Sequence, residues 1–259
     1  MSEAEAAEPV TPQPRRRGRR IVWWILGSIG AVIVLVVVGV VIWSQVGVYQ
    51  AEPGPLADVR ENSAIAITDT SAGIVLEPAN GGSDIGLVYI PGAKVDPWAY
   101  ASKLSGAVEA GVTVVITKPW LNLAFFDLRP LSAFTDLSPG IDTWIVGGHS
   151  LGGVRACQLA ADADALALFA SYCASDLSES GLPVISIAGT EDGLSTAEKI
   201  ADARPMLPED AEMDVIDGAA HSSFGDYGAQ DGDGIPTISD EQMGETLTEL
   251  IGAFAARIG

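Results

Sequence analysis

The sequence predicts a three-layer α/β domain behind a single membrane-spanning helix, and three observations carry that expectation. Short apolar runs alternate with helix-like segments at the spacing of strand–helix–strand units. The runs are almost continuously hydrophobic, as strands covered on both faces are, instead of alternating apolar and polar. The stretch from Ile21 to Trp43 contains no charged residue.

That stretch, as a helix, would extend about 34 Å, enough for a hydrocarbon core of about 30 Å. Arg15, Arg16, Arg17, Arg19 and Arg20 precede it, and the first charge after it is Glu52. The positive-inside rule then keeps the N-terminus in the cytoplasm and exports the remainder, giving a single-pass cell-membrane protein with its folded domain extracytoplasmic. Trp23, Trp24 and Trp43, near the two ends, fit an aromatic belt. A cleaved signal peptide is the competing reading, but its apolar core would be shorter. The nearest small–x–small site, Tyr49-Gln50-Ala51, also opens on a bulky residue. An uncleaved anchor over 21–43 is therefore expected. Residues 1–20, rich in Pro, Arg, Ala and Glu, read as a disordered cytoplasmic tail. Residues 44–62 read as a linker, because Glu52-Pro53-Gly54-Pro55 resists regular structure. The folded domain is expected over 63–259.

Within it, β-rich runs at 64–68 and 73–77 predict a hairpin, followed by a strand at 85–90 that stops at Pro91-Gly92-Ala93. A helix is expected over 97–110, with Asp96 as cap and Pro97 in the first turn. Gly111 ends it and a β-branched strand follows at 112–117. Residues 118–140 contain Pro119, Pro130 and Pro139 and read as irregular; their aromatics Trp120, Phe125, Phe126 and Phe134 either line an apolar pocket or, by default, join the core. Further strands are predicted at 143–146, 165–172, 182–188 and 213–216, with helices at 151–163, 196–203 and 240–258.

Charge narrows the function classes. Five arginines against three glutamates give the first 20 residues +2, so of the total −20 the rest of the chain carries −22. Such a domain has nothing to neutralise phosphates, which argues against nucleic acid or an anionic-membrane binding face. The histidines, His149 and His221, stand far apart in sequence without a cysteine at ligand spacing, so no metal site is expected. The cysteines, Cys157 and Cys173, permit a disulfide, but both fall within apolar stretches, which favours two buried thiols and leaves a bridge open.

The chemistry is expected at the carboxyl ends of the strands, where ligands bind in open α/β sheets. Gly148-x-Ser150-x-Gly152 sits where the strand at 143–146 turns into a helix opening at Leu151, the pattern of a nucleophile elbow. In a chain with 29 glycines the motif is weak alone, and its context has to decide. A serine nucleophile needs a base, and the base an acceptor that fixes its tautomer. His149 adjoins the serine, with its side chain expected to point away, so His221 is the usable base. Asp192, in the turn after the strand at 182–188, is the preferred acid over Glu191, Asp164 and Asp176. Asp226 is read as structural. Two backbone N–H groups are expected to form an oxyanion hole, those of Leu151 and Ala93.

Four stretches together carry a family resemblance: Tyr89-Ile90-Pro91-Gly92-Ala93-Lys94-Val95-Asp96-Pro97, Gly147 to Gly153, Gly189-Thr190-Glu191-Asp192-Gly193, and His221 through Gly234. They resemble the small bacterial α/β hydrolases of the dienelactone-hydrolase-like branch, over roughly residues 60–258. The chain departs from that pattern in having Ala219-Ala220 where a Gly-Asn pair is expected before the histidine. The resemblance implies an eight-stranded, mostly parallel sheet and a Ser150–His221–Asp192 triad. It also implies hydrolysis of esters or related acyl bonds without a cofactor, on a small-molecule substrate. Two other functions fit the same residues: an acyltransferase of the cell envelope, and a catalytically silent binding module on this fold.

Overall fold

The structure is a computed structural model, and it describes residues 16–259, with side chains from residue 21. The tail expected to be disordered lies mostly outside the described residues; from Arg16 onward the chain is already helical. Helix α1 covers Arg16–Gln45, and its segment Ile21–Gln45 is long and apolar enough to cross a membrane, with a mean hydropathy of 3.0. The chain divides into two compact units, residues 1–43 and 44–259.

In the second unit the segment expected as a linker folds in part. Pro53–Glu61 forms helix α2, which buries Val59. Both prolines fall in its first turn, where the missing N–H groups would have had no intrahelical acceptor, so they start the helix instead of preventing it. The sheet has eight strands. They are β1 (Ile65–Asp69), β2 (Gly73–Pro78), β3 (Ile85–Ile90), β4 (Thr113–Thr117), β5 (Thr143–His149), β6 (Ala165–Phe169), β7 (Val184–Gly189) and β8 (Glu212–Ile216), in the order β1-β2-β4-β3-β5-β6-β7-β8. β2 runs antiparallel to both β1 and β4, and every later pairing is parallel. The interior strands β3 and β4 are buried throughout, whereas the edge strand β8 exposes alternate residues.

Side chains leave the sheet alternately to two cores. Leu87 and Tyr89 join one, with Leu104, Leu247 and Phe254; Val88 and Ile90 join the other, with Phe134, Ala156 and Leu166. Helices α2, α3 (Ala101–Glu109) and α7 (Asp240–Ile258) cover the first face. The segment 118–140, which includes the short α4 (Ser132–Thr135), and helix α5 (Leu151–Leu159) cover the second; α6 (Ala197–Asp202) follows β7. Three expected elements are shorter for local reasons. The helix from Pro97 begins as a 3₁₀ turn, Pro97–Tyr100. The strand after Ala165 stops where Ala170 turns left-handed, at φ 46°. Strand β7 starts only after Pro183. Cys157 in α5 and Cys173 after β6 form a disulfide, which decides the question the sequence left open.

One feature of the sheet prepares the site. Among the described residues, five other than glycine have clearly left-handed backbones: Lys94, Leu121, Asn122, Ser150 and Ala170. All five lie just beyond the carboxyl ends of β3, β4, β5 and β6. A Cβ makes that conformation costly, and such strain concentrates where function needs it.

Candidate active site

Ser150 separates β5 from α5 with φ 54° and ψ −123°. Its N–H donates to the Phe169 carbonyl at 3.0 Å, and its carbonyl accepts from Ser171 Oγ at 2.7 Å. The end of β6 therefore clamps the turn from one side. The end of β3 closes it from the other: a Cβ at Gly152 would sit 2.0 Å from the Ile90 carbonyl oxygen, and one at Gly148 2.5 Å from the Gly152 carbonyl carbon. The G-x-S-x-G spacing thus follows from close approach of backbone to backbone.

His221 opens a 3₁₀ turn after β8 and is 1% exposed. Its Nδ1 lies 2.8 Å from Asp192 Oδ2, with both side chains buried. The other oxygen of Asp192 accepts the N–H groups of Leu194 at 2.8 Å and Ser195 at 2.7 Å, which fixes the carboxylate in the turn after β7. A carboxylate there holds the proton on Nδ1 and leaves the Nε2 lone pair available. The rival acids are engaged elsewhere. Glu191 is exposed, Asp164 accepts from the Trp144 N–H, and Asp176 binds Ser178. Asp226 pairs with the buried Lys103 at 2.7 Å, and Lys103 reaches Asp240 at 2.9 Å.

His149 is buried, and its ring centroid lies 4.4 Å from that of His221. Its Nε2 lies 3.1 Å from the His221 carbonyl oxygen and its Nδ1 3.0 Å from the Tyr100 hydroxyl, which itself accepts the Gly92 N–H at 2.9 Å. Burial, and then the neighbouring His221, hold the His149 pKa well below the usual histidine value, so the ring stays neutral. Burial also raises the Tyr100 pKa, only partly offset by the Gly92 hydrogen bond, so its proton remains. One pattern satisfies every group: Gly92 N–H to Tyr100, Tyr100 O–H to Nδ1, and Nε2–H to the His221 carbonyl. The chain links the loop after β3 to the loop bearing His221.

Asp233 ties a further pair of loops. Its carboxylate accepts from the N–H groups of His221 (3.0 Å), Ser222 (2.8 Å) and Gly193 (3.2 Å), and from the Ser222 hydroxyl (2.9 Å). Burial alone would raise its pKa, but the hydrogen bonds from Ser222, His221 and Gly193 outweigh that and hold it below the usual value. The sequence marked the run through Gly234 as specific without assigning this aspartate a role.

The N–H groups of Leu151 and Ala93 meet no acceptor among the described residues, and both residues are partly exposed. Of the aromatics in 118–140, Phe134 is core, while Trp120, Phe125 and Phe126 are exposed. A groove of about 480 Å³ behind the His221 loop is lined by Ser222, Asp226, Ile235 and Met243; Ser150 and Asp192 do not line it.

The sequence pattern of the alpha/beta hydrolase family matches residues 86–245. The chain belongs to that family. The matched region of this α/β hydrolase runs from β3 into α7 and includes Ser150, Asp192 and His221. Among solved structures it is similar to the esterase domain of a Rhodothermus marinus protein, with a TM-score of 0.58 at 15% identity, covering 75% of this chain and 99% of that one. It is also similar to TT1662 from Thermus thermophilus, with a TM-score of 0.53 at 15% identity, covering 75% and 98%. At that identity the likeness is one of fold. A search of curated proteins finds no match.

Proposed function

We propose that this α/β hydrolase is a membrane-anchored serine hydrolase that cleaves carboxylic esters or related acyl bonds. Residues 21–43 form the anchor, the N-terminus lies in the cytoplasm, and the catalytic domain, 63–259, lies outside. The observation that carries the reading is the His221 Nδ1–Asp192 Oδ2 contact of 2.8 Å, made in a loop that also binds His149, the residue next to the strained Ser150. In this reading Ser150 Oγ attacks the substrate carbonyl while His221 Nε2 takes its proton. The tetrahedral oxyanion is held by the N–H groups of Leu151 and Ala93, each worth about 3 kcal/mol in such sites. The alcohol leaves with the proton from His221, and an acyl-Ser150 remains. Water, deprotonated by the same nitrogen, then attacks the acyl carbon and releases the acid and free Ser150. No step calls for a cofactor.

A fluorophosphonate probe tests this directly. The wild-type chain is expected to label, and Ser150→Ala is expected to lose labelling and turnover of a short-chain ester. Ser150→Ala and His221→Ala should each lower kcat by at least about 10⁴-fold, with Asp192→Asn close behind. Labelling that survives Ser150→Ala would overturn the reading.

A further inference from the structure

The turn after β4 gathers exposed apolar side chains. Trp120 is 53% exposed, Phe125 62%, Phe126 45% and Leu128 75%. Between Lys118 and Arg129 the only acid is Asp127, which is buried and paired with Arg129, so this place escapes the acidity of the rest of the unit. Contiguous exposed apolar surface on a folded domain marks an interaction site.

Its position says what covers it. The turn is built on consecutive left-handed residues, Leu121 and Asn122. The Asn122 carbonyl accepts the Lys94 N–H at 2.8 Å, next to Ala93, and residues 124–126 pack on α5, the helix that follows Ser150. The Asn122 side-chain amide donates to the carbonyl of Ser44 at 3.2 Å. Ser44 is fully buried and is the first residue of the folded unit, and the apolar segment Ile21–Gln45 runs on through it. Val46, two residues on, is 62% exposed. The last residues of the apolar segment therefore belong to the folded unit and lie beside the aromatic turn. Aromatic and long aliphatic side chains are the ones that settle at a membrane–water interface.

We propose that Trp120, Phe125, Phe126 and Leu128 dock into the outer face of the bilayer that holds the span, and present Ser150 to acyl esters carried in that membrane. The proposal rests on the serine-hydrolase and anchor readings and adds a substrate class to them. Docking is apolar, consistent with a unit too acidic to bind anionic surfaces by charge.

The full chain, reconstituted in phosphatidylcholine vesicles, tests it in two ways. Because both native cysteines are paired, Phe125→Cys, Phe126→Cys and a control on the far edge strand, Val215→Cys, each accept a single polarity-sensitive fluorophore. Labels at 125 and 126 are expected to be shielded from iodide and quenched by brominated lipid, and the label at 215 is expected to do neither. Shielding without lipid quenching would mean a protein covers the patch, and equal iodide access at all three positions would mean nothing does; either result overturns the proposal. In the second arm, Phe125→Ser/Phe126→Ser/Leu128→Ser should keep turnover of a short water-soluble ester within about twofold and lose about tenfold or more on a long-chain ester in the same vesicles. Equal loss on both substrates, or none on either, overturns it. Absence of short-ester turnover by the wild type, or its survival in Ser150→Ala, would instead sink the hydrolase reading while the labelling result still stood.

Discussion

Asp233 is where a single side chain holds the most. It binds the backbone of the loop bearing His221 and of the loop bearing Asp192, so it holds those two loops together. Asp233→Asn keeps the shape and loses the charge and one acceptor. The expected result is a kcat lowered by about 10 to 100-fold with KM within about twofold, because misplacement by a fraction of an ångström weakens proton transfer more than binding. A stability signature accompanies it. The folded-state pKa of Asp233 lies below the 3.8 of an ordinary aspartate, so its contribution is fully present above that value and is lost as pH falls through the lower folded-state value. Thermal melts of wild type and variant should therefore differ at neutral pH and converge only once the pH has fallen below the lowered folded-state value. Ser150, Asp192 and His221, the proposed triad, could be picked from the sequence because each lies a few residues beyond the carboxyl end of a strand. The sequence hid His149 and Asp233 because their roles come from loops brought together by the fold. His149 meets a carbonyl 72 residues away and Asp233 an amide 40 residues away, and no local pattern encodes either contact.

At the scale of elements, the strand–helix alternation was legible because β3 to β7 are buried on both faces and so are almost continuously apolar. Helix α2 was not, because prolines that break a helix interior are harmless in its first turn. The antiparallel β1–β2 hairpin was visible in its spacing, whereas the insertion of β4 between β2 and β3 reflects pairing that no single segment announces. The bridge from α5 to the loop after β6 restrains the turn at Ser150, since Ser171, two residues before Cys173, hydrogen-bonds the Ser150 carbonyl. It closes a loop with a sequence separation of 16, for which chain entropy gives about 3 kcal/mol. Cys157→Ser/Cys173→Ser is expected to lose about that much unfolding free energy in a denaturant titration. Dithiothreitol should destabilise the wild type by a comparable amount and leave the double variant unchanged.

For the whole molecule, the contrast between a charge-free helix and an acidic unit sets the expected behaviour. If the span is an anchor, the chain should stay in the membrane pellet through alkaline carbonate extraction, with an intact mass of 26.8 kDa. A shorter, soluble product would show that the segment is removed as a signal sequence. If Ile21–Gln45 holds the chain in a membrane, tethering has a consequence for kinetics. A hydrolase so held would search a plane and not a volume, so its encounters would be set by how many substrate molecules share each patch of bilayer. Diluting the vesicles in buffer should leave its rate on a membrane-borne ester unchanged, while diluting the ester with inert lipid should slow it in proportion.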